Sequence, residues 1–395
     1  MTAMSTHTTD PRPSSARPSD AEPSAAGGPI AGPPARPLPP TEQPRAVGLP
    51  ASRGPVSAAV VDVLAGGSTT PADVRRTAAA ELERRALGAD EVLRDEDVQL
   101  SLWTLQELSF RGFGGAGDRF EWDLDLVGAR QLLEGALESA LREVVDVPTG
   151  VAPSEVPAAL FAMTAEDGGP GLSSHLARRA SLEQFRELVV HRSIYHLKEA
   201  DPHTWAIPRL EGSVKAALVE IQADEYGGGR PERMHAALFA RTMRALGLDD
   251  GYGRYLDEVP ATTLVGSTAM ALFGLNRRLL GAVVGHLAAF EMTSSLPNRR
   301  YGAGMRRLGF DRDATWFFDE HVEADAVHEQ IAAHDLAGGF ALQHPSRTSE
   351  VLLGAATGLA LDEVAGGHLL SSWEAGRSSL RTGRGVDALL AAAAA

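Results

Sequence analysis

The chain has no cysteine among its 395 residues, which excludes disulfides, thiolate ligands, iron–sulfur clusters and cysteine nucleophiles. Any metal must therefore be held by nitrogen and oxygen. Imidazole with several carboxylates suits iron or manganese, whereas structural zinc favours thiolates. Positive charge is also in deficit: 37 Lys and Arg against 52 Asp and Glu give a formal net charge of −15. So acidic a chain is not expected to bind nucleic acid or an anionic membrane, both of which call for a basic surface. Neither a run of eighteen apolar residues nor a charged-then-apolar leader is present, so no membrane span or signal peptide is read and the expected location is cytoplasmic. The absence of an internal repeat of fixed period disfavours a solenoid.

What is present is helical. Residues 1–56 hold 13 of the 24 prolines with few large apolar side chains, a composition that does not offset its ordering entropy, so a disordered tail is expected there. From residue 57 to 395 a packed helical domain is expected: 44% of the chain is hydrophobic and 23% charged, and Ala, Leu, Glu and Arg recur at spacings of three and four. Gly/Pro punctuation at 112–117, 147–154, 168–171, 201–208, 227–231, 247–253 and 296–304 divides it into candidate helices. The expected fold class is an all-α bundle.

Several helical stripes carry chemistry in the wrong place for a plain core. His321, Asp325 and His328 stand at i, i+4 and i+7, within about 60° of one another on a helix, on a stripe that Phe317, Ala324 and Ala332 extend. Ionised groups buried on such a stripe are costly unless a cation joins them; the alternative is a solvated helix, since Asp319, Glu320 and Glu323 form a polar face beside it. Glu225 ends a stripe of Val214, Leu218 and Ile221, and Glu291 ends one of Leu280, Val284 and Leu287, while His286 points elsewhere. His235 shares a face with Leu238, Phe239, Thr242 and Leu246. Glu232, three residues earlier, makes the Glu-x-x-His spacing used by carboxylate-bridged di-iron bundles. Glu199 aligns with Phe185, Leu188 and Tyr195, but also with Arg192, so an Arg192–Glu199 ion pair is an equally good reading.

Glu225, Glu232-x-x-His235, Glu291 and His321-x3-Asp325-x2-His328, with the stretches HLKEADPHTWAIPRL, EIQADEYGGG and DEHVEADAVHE, resemble the haem-oxygenase-like di-iron oxidases and oxygenases, a group that includes the actinobacterial iron-containing redox enzymes. The resemblance covers about 180–335, and 90–150 only in general helical character. It implies a seven-helix bundle, here with an N-terminal helical extension. It also implies two iron ions, cycling between Fe(II) and Fe(III), held by side chains alone with O2 as co-substrate. The metal ligands it implies are Glu199, Glu225, His235, Glu291, His321, Asp325 and His328, with Glu232 competing with Glu199 for the last carboxylate position. No catalytic residue beyond these ligands is implied.

The reaction implied is N-oxygenation of a small amine or amino acid, or desaturation or C–C cleavage of an aliphatic acid or amino acid, in natural-product biosynthesis. A small-molecule substrate is the expected partner, and an external electron donor and a homodimer are compatible with the pattern. Tyr195, Trp205, Phe239 and Phe290 are candidate pocket residues against the plainer reading as core. Arg299 and Arg300, read as lying in a Pro297–Gly304 loop, are candidates to grip a substrate carboxylate against the plainer reading as a solvated loop. The alternatives to an enzyme are a non-catalytic metal-binding or sensing protein of the same fold, and a helical interaction protein without metal.

Overall fold

Helices begin where a side chain can take the first, otherwise unpaired N–H groups. Thr70, Asp95, Asp123 and Ser181 each accept from the backbone two or three residues on. At Ser181 the bond is reciprocal, because Gln184 Oε1 accepts from the Ser181 N–H at 3.2 Å, forming a capping box. A computed structural model describes residues 46–114, 117–165 and 171–394, except for side chains at 323–327 and 392–394. No strand occurs among the described residues, and residues 45–395 form one compact unit.

In chain order the helices are α1 (Pro55–Leu64), α2 (Pro71–Arg85), α3 (Ala89–Arg94), α4 (Glu96–Glu107), α5 (Leu124–Val144), α6 (Val156–Thr164), α7 (Leu172–Arg178), α8 (Leu182–His196) and α9 (Asp201–Thr204). They continue with α10 (Gly212–Glu225), α11 (His235–Ala245), α12 (Ala261–Leu275), α13 (Leu280–Thr293), α14 (Ser295–Arg307) and α15 (Arg312–Gln330). A π-helical stretch, Ile331–Gly338, leads into α16 (Gly339–Gln343), followed by α17 (Thr348–Glu374) and α18 (Val386–Ala394). The all-α class is as expected, with more helices than the seven of the implied bundle: α1–α5 pack on one another, with α3, α4 and α5 against α12, and several others are short.

Two local features set the frame of the site. The backbones of α13 and α17 touch, since a Cβ on Gly285 would meet the Val351 carbonyl and one on Gly354 would meet that of Ala282. This close approach fixes the helix that carries Glu291 in its last turn. Between α10 and α11 the chain reverses through Gly227, Gly228 and Gly229, all at positive φ (66°, 59° and 78°), a conformation that favours glycine, and a Cβ on Gly227 would also meet the Met234 backbone. The reversal brings Glu225 and His235 face to face.

Two expectations are corrected. Residues 296–304 lie within a helix, α14: Pro297 sits in its first turn, where no intrahelical N–H bond is lost, and Gly304 lies against the Leu176 carbonyl of α7. The stretch read as tail is packed from residue 46 onward, residues 1–45 lying outside the described set. Val47 is buried, and Arg53 bonds Glu96 Oε2 and the Leu256 carbonyl, both at 2.6 Å. A few apolar side chains, Val47, Leu49 and Val56, and these polar contacts hold the segment, too little apolar surface for its composition to reveal it.

By length and apolarity no single described helix could cross a membrane; the bent pair Arg277–Thr293 and Ser295–Arg307 passes such a test only when joined, and its buried faces carry the polar Glu291 and Asn298.

The start of α1 is capped from another helix. Asp97 of α4, itself buried, accepts from the N–H groups of Val56 at 2.9 Å and Ser57 at 2.7 Å and from Ser57 Oγ at 2.6 Å. Asp97→Ala should therefore cost about 2 kcal/mol in unfolding free energy, measured by urea denaturation. A loss below about 0.5 kcal/mol would show that α1 docks without this cap.

Candidate metal centre

The first group of side chains forms where α8 ends. Past His196 the chain turns through Glu199 and Ala200, whose φ of 73° is one that a residue with a Cβ rarely adopts. The turn directs Glu199 inward, where His196 Nδ1 donates to its Oε1 at 2.6 Å. From α15, His321 donates through Nδ1 to the Phe317 carbonyl at 2.8 Å, which turns Nε2 toward Glu199 Oε1 at 3.7 Å. Orienting an imidazole through its other nitrogen is the usual device of a metal-ligating histidine. Donor atoms of Glu199, His235 and His321 all lie within 4.8 Å of one another, and all three residues are buried.

The second group adjoins the first. Glu225 Oε2 and His235 Nδ1 stand 2.9 Å apart but are not aligned to hydrogen-bond, and neither atom has another partner. His328 donates through Nδ1 to Glu291 Oε2 at 3.2 Å and through Nε2 to Asp224 Oδ2 at 2.9 Å. Glu199, Glu225, Glu291 and His321 line one cavity of about 220 Å³. Glu199 Oε2 also lacks a hydrogen-bond partner. Carboxylate and imidazole atoms buried together without hydrogen bonds are expensive, and a cation accepting their lone pairs removes that cost. The donor set, nitrogen and oxygen only, fits iron.

The electrostatics agree. Burial alone would raise the Glu199 carboxyl, but His196 and His321 outweigh it and hold it well below the usual carboxylate range. Burial would lower His235, yet Glu225 raises it on balance. For His328 burial is again opposed, and Glu291 and Asp224 raise it to about 9. Burial pushes the Tyr195 phenol up, and Glu199, Glu225 and Glu291 add to the shift, so it stays protonated.

Of the ligand candidates, Glu199, Glu225, His235, Glu291, His321 and His328 are thus brought together, and the Asp325 side chain lies outside the described set. Glu232 is not in the site: it is exposed, in a 3-10 turn ahead of α11, so the Glu-x-x-His spacing never sits on one helix. Arg192 pairs with Asp362 at 2.7 Å and not with Glu199. Arg299 is exposed and Arg300 bonds Ser173 Oγ, both on α14 and away from the cavity lining. Tyr195, Phe239 and Phe290 line the cavity, whereas Trp205 stacks edge-on with Phe110. His286 is apart from the cluster, sharing a 3.2 Å hydrogen bond with His203.

Four participants escaped the sequence reading. His196 had a signal, its i, i+3 spacing to Glu199. Asp224 had none, because it lies on the exposed side of α10 and meets His328 only through tertiary packing. His203 and Gln222 line the cavity with Nδ1 and Nε2 unpartnered, on stretches read as loop and plain helix.

Residues 186–363 match the family model of iron-containing redox enzymes. This part of the chain belongs to that family. All the ligand candidates of the iron-containing redox enzyme segment, from Glu199 to His328, fall inside it, and α1–α5 fall outside. The chain is also 29% identical over 138 residues to nitrosourea synthase of Streptomyces achromogenes subsp. streptozoticus, a match covering 34% of this chain and 29% of that protein. The chain therefore spans less than a third of the length of the relative it matches.

The raised His328 has a consequence for the metal-free protein. Its folded-state pKa of about 9 exceeds the unfolded value of about 6.5, so its contribution to stability is complete below about pH 6.5 and is lost as pH rises through about 9. Unfolding free energy of the metal-free wild type should fall across that window relative to His328→Ala. Parallel pH profiles for the two proteins would contradict the assignment.

Proposed function

We propose that the chain is an O2-activating, non-haem di-iron oxidoreductase acting on a small amine or amino acid, with N-oxygenation as its reaction. One observation carries the reading: three buried carboxylates line one cavity with His321, while His235 and His328 stand against two of them, and ligand atoms are left unpartnered. They fall into two adjacent sets. Glu199, His235 and His321 would hold one iron; Glu225, Glu291 and His328 would hold the other, with Asp325 positioned on the same helix as His321 and His328. That number of side chains suits two ions better than one.

Bound Fe(II) supplies the reduction of O2. The chain's own residues do the rest. His321 is oriented through Phe317 and His328 through Asp224, the outer partners that set a ligand's tautomer and direction. Tyr195, Phe239 and Phe290 wall the cavity with rings and limit water around the reacting atoms. The relative's name, a synthase of a nitrosourea, supports oxidation of nitrogen over desaturation or C–C cleavage. Inserting one oxygen atom into an N–H bond while reducing the other to water takes two electrons beyond those of the substrate, hence an external donor.

Protein loaded with Fe(II) without air should bind close to two irons per chain and consume O2 on exposure. His321→Ala should lose iron and O2 consumption while keeping its helicity. His286→Ala should keep its iron and cost about 1–3 kcal/mol of stability. Tight metal binding without O2 consumption would favour a sensing protein, and a single bound zinc inert to O2 would sink the proposal.

A further inference from the structure

Outside the family segment, α4 ends in a buried ion pair aimed at the ligand-bearing turn. Glu107 and Lys198 are almost fully buried, with side chains 0% and 2% exposed, and Lys198 Nζ donates to Glu107 Oε2 at 3.0 Å. Tyr252 Oη donates to the same oxygen at 2.8 Å, and the Arg111 N–H to Oε1 at 3.3 Å. Around the ammonium group stand the rings of Phe110, Trp103 and Tyr252, at 4.5, 5.5 and 5.6 Å from their centroids.

A buried ion pair of this kind rarely adds stability over apolar residues of equal volume, because desolvation offsets the attraction. Its effect here is on position. Lys198 is the residue before Glu199, and the strained Ala200 follows. One step to either side, Arg111 Nη2 donates to the Leu197 carbonyl at 2.8 Å and lies 3.8 Å from Asp201.

The chain of contacts runs on to the second carboxylate. Asp201 Oδ1 accepts from Tyr226 Oη at 2.9 Å, and Tyr226 is the residue after Glu225. Thr204 Oγ1 bonds Tyr226 Oη at 2.8 Å and Gln222 Oε1 at 2.6 Å. Polar links thus converge on the neighbours of two ligand carboxylates, from a helix that contributes no ligand. We propose that Glu107, Lys198 and Arg111 are positioning residues, a clamp through which the N-terminal helices hold Glu199 and Glu225 in place for metal. This rests on the metal-centre reading above.

The test uses the full chain and Co(II) as probe, read by d–d absorption and by titration under argon. Wild-type binding that His235→Ala abolishes identifies the site. The double variant Glu107→Gln/Lys198→Met, which removes both charges together and so leaves no orphan ion, should stay helical but bind Co(II) on the order of tenfold or more weakly, with an altered spectrum. Val74→Ala in α2, a core truncation remote from the clamp, should lower the melting temperature and leave binding unchanged. Should the double variant not fold, Arg111→Met, at a side chain 44% exposed, takes its place and should weaken Co(II) binding several-fold.

A variant that binds like the wild type with the same spectrum, or a Val74→Ala protein weakened as much as the clamp variant, overturns the clamp alone. A wild type whose Co(II) binding is absent, or unaffected by His235→Ala, overturns the metal centre and the clamp with it.

Discussion

Three carboxylates turned into one cavity are the constraint around which the rest of this structure is arranged. An ionised carboxylate removed from water must find hydrogen bonds or opposite charge, and Glu199, Glu225 and Glu291 have only partial provision. Each stands against an imidazole, His196, His235 and His328 respectively, but Glu199 and Glu225 still leave an oxygen unpartnered. The fold tolerates this because the surrounding helices are pinned by means that do not depend on the site. The backbone contact of α13 with α17 through Gly285 and Gly354 and the capped start of α8 are such means.

That arrangement explains which parts of the site could be read in advance. Glu225, Glu291, His321 and His328 each break an apolar stripe on a long helix, where phase alone says which way a side chain faces. The same logic misjudged Glu232, because phase has no meaning ahead of a helix's first residue, and the start of α11 at His235 is not marked by a capping side chain. It also misjudged 296–304, where proline and glycines serve the first turn and the packing against α7 rather than a loop. Asp224 and the Arg192–Asp362 pair depend on what a neighbouring helix brings, and no spacing in one segment reports that.

The packed segment 46–56 makes the complementary case. Composition separates chains that can bury apolar surface from those that cannot, yet Arg53 is held by an ion pair and a carbonyl, and Asp97 reaches across from α4 to cap α1. Polar docking of this sort leaves no hydropathy signal. The same holds at Glu107 and Lys198, where the N-terminal layer meets the metal segment through charge and aromatic rings in place of a recognisable sequence pattern.

Burial sorts the histidines into two sets that composition cannot separate. Burial lowers His191 to about 3 and His203 to about 4, the latter against the pull of Glu225 and Glu199, and it carries His286 well below its ordinary value. These remain neutral and trade hydrogen bonds with Thr263, Ser379 and each other. His196 is lowered as well, burial outweighing the Glu199 carboxylate beside it, whereas Glu225 raises His235 and Glu291 and Asp224 raise His328 on balance. A raised histidine beside a buried acid holds a proton where a metal ion would sit, so loading metal must expel it. In the proposed centre cations would exchange for protons, and the hydrogen bonds that His321 and His328 donate to the Phe317 carbonyl and to Asp224 leave Nε2 of the first and Nδ1 of the second turned to the carboxylates.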